Sequence, residues 1–158
     1  MLDVLIYLFE NFYEQNESEF LVDRDNLLDE LLEAGFAEAE ILKAMTWIEN
    51  LVEMRDGGVQ THLQVSSVSS MRVYTDAEQF YINTECRGFL LFLEHISVLN
   101  IETREMAIAR LVELENTNLD LDDIKWVILM VLFNVPDGEE AYLQMEELVH
   151  AKEHNYLH

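Results

Sequence analysis

The sequence predicts a mainly α-helical protein: a winged-helix-like N-terminal half of three helices plus a small β-hairpin, and a helical C-terminal half. Apolar residues recur at three- and four-residue spacing along most of the 158 residues. Asp, Thr and Asn before these stretches, and Gly or Pro behind them, supply starts and stops at compact-helix lengths. Only between Val59 and Tyr74 does the pattern switch to an alternation of period two. The expected division is 1–74 and 75–158, with a shared core left open.

Leu2, Leu5, Ile6, Phe9, Phe12 and Tyr13 make a first amphipathic helix. Asp23 is placed to cap a second, with Leu27, Leu28, Leu31 and Leu32 inward and Gly35-Phe36 as its left-handed stop. A third runs from about Glu38 to Met54, burying Ile41, Met45, Ile48 and Val52, with Trp47 and Leu51 flanking. Val59, Thr61, Leu63 and Val65 alternate as a strand; Met71, Val73 and Tyr74 would return it. Thr75 and Glu78 form a capping box for a short helix. The run 84–99 carries Phe89, Leu90, Phe92, Leu93 and Ile96 on a wide apolar face, broken at Asn100 to Thr103. Met106, Ile108, Leu111 and Leu114 face inward on the next helix. Asp120 or Asp122 caps DDIKWVILMVLFNV, apolar nearly all round and so the expected central helix, stopped by Pro136. Asp137 opens a last helix with Tyr142, Met145, Leu148 and Val149 inward.

Thirty-two acids against nine bases give a net charge of −23, while half the residues are hydrophobic, too many for a disordered acidic tail. Spread over roughly 8,000 Å² of surface this is about one net charge per ~350 Å². Duplex DNA carries about one per ~100 Å². Direct nucleic-acid binding through a general basic face is disfavoured, as is an anionic membrane surface. A basic protein surface is the expected long-range partner. Cys86 is the single cysteine, which fits a reducing, cytoplasmic setting. The first fifteen residues lack a basic n-region, and the longest apolar run, Trp126 to Phe133, is far short of a bilayer span.

The third helix would be the DNA-reading element of a winged helix. It carries Glu38, Glu40, Glu49 and Glu53 against Lys43, a face that repels phosphate. Together with Trp47, these four glutamates are the candidates for protein contact. His150, Glu153 and His154 match an H-x-x-E-H pattern, and His158 falls on the same face if the helix continues, so His150, His154 and His158 are the metal candidates. Tetrahedral zinc needs three or four fixed donors, which a helix end holds poorly, and a dipole role for these histidines is preferred. Arg87 and a helix start could lower the Cys86 thiol pKa, but small core filler is the favoured role. His95 is expected as a hydrogen-bonded histidine at the core edge. Adjacent carboxylates such as Asp122-Asp123 point about 100° apart and do not converge. No phosphate loop, dinucleotide fingerprint or nucleophile elbow is present, so no cofactor is expected and a non-enzyme is favoured.

The strings CRGFLLFLE, LNIETREM and DDIKWVILMVLFN, with MLDVLIYLFENFY, WIENL and SMRVYT, resemble the Smg family of bacteria along essentially the whole chain. The resemblance implies a small, mainly helical cytosolic protein and brings no catalytic motif. The leading expectation is therefore an acidic, non-enzymatic interaction or adaptor protein of undetermined oligomeric state. The alternative is a nucleic-acid-related role, as a local DNA mimic or through weak direct contact; a metal-dependent enzyme stands third.

Overall fold

The structure, a computed structural model, describes residues 1–13, 24–56 and 72–155; for 12, 13, 56 and 152–155 only the backbone is described. By its internal contacts the chain divides into two units, Met1–Asn50 and Leu51–His158. Among the described residues every regular element is a helix, with no strand.

In the first unit, α1 (Leu2–Leu8) continues into a π turn, Phe9–Tyr13. It buries Val4, Leu5, Leu8 and Phe9; of the expected inward positions Leu5 and Phe9 are buried, while Leu2 and Ile6 are half-buried. α2 (Arg24–Glu33) buries Leu27 and Leu31, while Leu32 is 41 % exposed. Asp23, its expected cap, lies outside the described residues. The stop at Gly35 follows the sequence pattern: φ is +97°, the Gly35 N–H reaches Leu32 O at 3.0 Å and the Phe36 N–H reaches Leu31 O at 3.1 Å. Phe36 also meets Tyr7 edge to face at 5.4 Å.

α3 (Glu38–Asp56) buries Ile41, Ala44, Met45, Trp47, Ile48 and Leu51. This corrects the expectation for Trp47, which was offered as an exposed contact residue and is only 1 % exposed. Position 47 lies three residues after Ala44 and four before Leu51, so the buried arc is rotated toward that side. Val52, expected inward, is half-buried.

The winged-helix expectation gains no support. The first strand, Val59 to Val65, and Met71 lie outside the described residues, and 72–75 is a non-helical leader with no strand pairing. Val73 is 85 % exposed, so the alternation of apolar residues does not mark a buried face there. That leader enters α4 (Asp76–Tyr81), capped by the expected Thr75/Glu78 box: the Glu78 N–H donates to Thr75 Oγ1 at 3.2 Å and the Thr75 N–H to Glu78 Oε2 at 2.9 Å.

α5 (Thr84–His95) is capped by Asn83 and ends four residues before the expected Leu99. Ser97 adopts φ +64°, and the N–H groups of Val98 and Leu99 turn back to Leu93 O at 2.9 and 3.2 Å. α6 (Ile101–Glu113) starts at a second capping box, Asn100 with Thr103, and α7 (Leu121–Asn134) at a third, Asp120 with Asp123. α7 packs against α5, α6 and α8 (Glu139–Asn155), burying Ile124 and Val127 to Leu132. It is the central helix the sequence indicated. The turn into α8 needs glycine: a Cβ at Gly138 would run into the Leu132 carbonyl and lie 3.0 Å from that of Val135. Asp137, expected to open α8, is instead left-handed at φ +62°, and helix begins at Glu139.

Candidate functional site

The contact candidates other than Trp47 stay at or near the surface. Glu38, Glu40 and Glu53 are exposed and Glu49 is half-buried. Arg24 reaches Glu49 at 2.8 Å, tying the start of α2 to α3, and the Met1 ammonium lies 3.4 Å from Glu40. Asp3, Glu10, Asp25, Asp29, Glu30 and Glu33 are also exposed. On α2, Asp25, Asp29 and Glu33 recur every fourth residue and so share one stripe. Lys43 is the remaining base within residues 1–50.

The densest polar constellation was not foreseen and lies in the second unit, where the leader meets α4, α5 and α6. Arg72 Nε and Nη2 grip Glu105 at 2.6 and 2.9 Å, while Nη1 and Nη2 grip Glu78 at 2.9 and 2.8 Å. Arg104 joins the same Glu105 at 3.0 Å and holds Glu94 of α5 at 2.8 and 3.0 Å. Tyr74 packs beneath two guanidiniums, 4.7 Å from Arg72 and 5.6 Å from Arg87.

The carboxylates respond accordingly. The hydrogen bond from Arg72 holds Glu78 below the ordinary carboxylate range against some desolvation. Burial pushes Glu105 upward, but the hydrogen bonds and charges of Arg72 and Arg104 outweigh it and leave it lowered. Those two carboxylates raise Arg72 further, and burial raises the Tyr74 phenol. In Arg72 and Arg104 the Nε and both terminal nitrogens each face a carboxylate, so these two guanidiniums are committed to internal acids. What the cluster does is fasten the leader and α4, a helix with no buried residue, onto α6. The sequence offered one clue, the Thr75/Glu78 box; nothing local announces a pairing across the 33 residues from Arg72 to Glu105.

Cys86 is wholly buried, its thiol 3.7 Å from Leu119 O, and desolvation together with Glu85 and Asp120 pushes its pKa up. That is the environment of core filler and the opposite of an activated thiol. His95, expected at the core edge, is exposed, because α5 ends there and the chain reverses at Ser97. His150 is exposed; the side chain of His154 and the whole of His158 lie outside the described residues. Among the described residues no three His, Cys, Asp or Glu side chains converge as a metal site would require. None of the described helices is long and apolar enough to cross a membrane.

No solved structure matches the chain. Curated relatives do: "Protein Smg homolog" of Vibrio atlanticus (strain LGP32) is 54% identical over 158 residues, all of this chain and 99% of the relative. "Protein Smg" of Sodalis glossinidius (strain morsitans) is 51% identical, and that of Serratia proteamaculans (strain 568) 50%, each with both chains covered completely. The family model described as "Protein of unknown function (DUF494)" matches residues 1–158. The helical build and a match that leaves no residue uncovered place this chain in the DUF494 family, among the Smg proteins.

Proposed function

We propose that the protein is a non-enzymatic interaction protein whose N-terminal unit docks on a basic surface of a protein partner. The observation that carries this reading is the exposure of eight acids, Asp3, Glu10, Asp25, Asp29, Glu30, Glu33, Glu38 and Glu40, in a unit whose cation Arg24 is engaged by Glu49. Charge arranged this way accelerates encounter and selects partners of opposite sign, and its effect fades with salt. In the second unit the arginines Arg72 and Arg104 are spent on internal carboxylates.

The test is affinity capture from cell extract at low and at high ionic strength, using the wild-type chain beside one in which Asp25, Asp29, Glu30 and Glu33 are all neutralised to Asn or Gln. A partner held at low salt by the wild type and lost with the neutralised chain is expected. Recovery of the same proteins by both chains would overturn the proposal, as would a shift of labelled duplex DNA by the protein alone. If the captured partner handles DNA and is released by added duplex, its DNA-binding face is the basic surface engaged.

A further inference from the structure

The outer face of α5 departs from the surface around it. Cys86, Leu90 and Leu93 point inward, so the opposite side is formed by Thr84, Glu85, Gly88, Leu91, Phe92, His95 and Ile96. Leu91, Phe92 and Ile96 are 48, 46 and 43 % exposed. In a chain so rich in acids, this face carries a single one, Glu85.

Gly88 lies on the centre line of the face. Glycine within a helix is less favourable than alanine, and a fold tolerates it where φ is positive or a side chain would collide. Neither applies here: the backbone is ordinary helix, and a Cβ at Gly88 would meet nothing within 4 Å. The fold does not require this glycine. A helix approaching closely from outside would.

We propose that this face binds the same face of a second copy of the chain, the two α5 helices running antiparallel about a twofold axis level with Leu90. In that register each residue faces the one equally far on the other side of Leu90. Phe92 of one copy then lies over Gly88 of the other, a ring filling the space of an absent side chain. Glu85 of one copy faces His95 of the other, a carboxylate toward an imidazole, and Thr84 faces Ile96. Each match occurs twice, as an isologous interface requires. The pairing is complementary in size at Gly88 and in charge at Glu85, and it covers the exposed Phe92 and Ile96. The net charge of −23 on each copy opposes association over distance, but at ~0.15 M salt screening acts beyond ~8 Å and spares direct contact. The face is small beside the ~800 Å² per partner of a standard interface, so the dimer is a weak, exchanging one.

Sedimentation equilibrium of the full chain at about 0.15 M salt, from about 1 to about 500 µM, reads the association directly. A monomer–dimer equilibrium is expected. Gly88→Ala is expected to weaken it about tenfold or more while raising the thermal midpoint, because alanine suits an isolated helix better and the close approach worse. Glu85→Lys weakens it too, and adding His95→Glu restores affinity to within about threefold of wild type by swapping the charges. A chain that stays monomeric over the whole range overturns the proposal. So does a dimer whose affinity is unchanged by Gly88→Ala or by Glu85→Lys, or one that the charge swap fails to restore. Thermal melts of every variant separate lost association from lost folding.

Discussion

Replacing Arg72 with Met keeps the stem of the side chain as far as the ε position and removes the guanidinium at the hub of the charged cluster. Arg72 makes four contacts of 2.6 to 2.9 Å to Glu78 and Glu105, with side-chain exposures of 18 %, 18 % and 21 % for the three residues. Breaking a fully buried pair costs roughly 3–5 kcal/mol and an exposed one roughly 0–1 kcal/mol. This cluster lies nearer the buried case. Two contacts soften the loss, since Glu105 keeps Arg104 at 3.0 Å and Glu78 keeps the Thr75 N–H at 2.9 Å. About 2 kcal/mol is therefore expected, a fall of roughly 4–8 °C in Tm for a chain of this size. Because Glu78 and Glu105 titrate below the ordinary carboxylate value of 4.5 when folded, their contribution is present above that value and is lost as pH falls through the folded ones. The gap between wild type and Arg72→Met, followed by thermal and urea unfolding, should be full at neutral pH and shrink steadily below about pH 4.5. A gap under about 0.5 kcal/mol at neutral pH, or one that acidification leaves unchanged, would refute the reasoning.

Further perturbations test the local architecture. Asp120→Ala removes the oxygen that accepts the N–H groups of Asp122 and Asp123 at 2.9 Å, and should cost about 1 kcal/mol in urea unfolding. Gly138→Ala drives a methyl group into the Leu132 carbonyl, so the α7–α8 turn must shift; a loss of about 1–3 kcal/mol is expected, whereas unchanged stability would mean that the turn is pliant. Cys86 should resist a soluble thiol reagent in the native protein and react in urea, with a rate that tracks the fraction unfolded. Prompt native-state labelling would contradict its burial.

Most of the helical frame was legible because its signals are local. The capping residues Thr75 and Asp120, the Gly35 stop and the all-round apolar run of α7 each act within a few positions, and each works as expected. Periodicity loses its power where a helix is apolar on more than one side. On α5 it could not distinguish Leu90 and Leu93, which face the core, from Phe92 and Ile96, which face out. On α3 a modest rotation of the buried arc brought Trp47 inside. Alternation in 71–74 suggested a strand, yet a highly exposed Val73 and an Arg72 bound to two carboxylates give that leader another basis for its course. The charged cluster joins residues far apart in sequence, and no spacing rule encodes which glutamate an arginine will choose among so many.

The three capping boxes have a kinetic consequence. Helix initiation is costly because several residues must be fixed for the first hydrogen bond. At Asn100/Thr103 and Asp120/Asp123 that cost is offset within four residues of chain, with no distant segment required. α6 and α7 can therefore begin to wind as soon as their own residues are free to do so. The grip of Arg72 on Glu105 must close a loop of about thirty residues and wait for α6 to exist. In the refolding chain, α6, which receives the strap, should form before the strap is fastened to it.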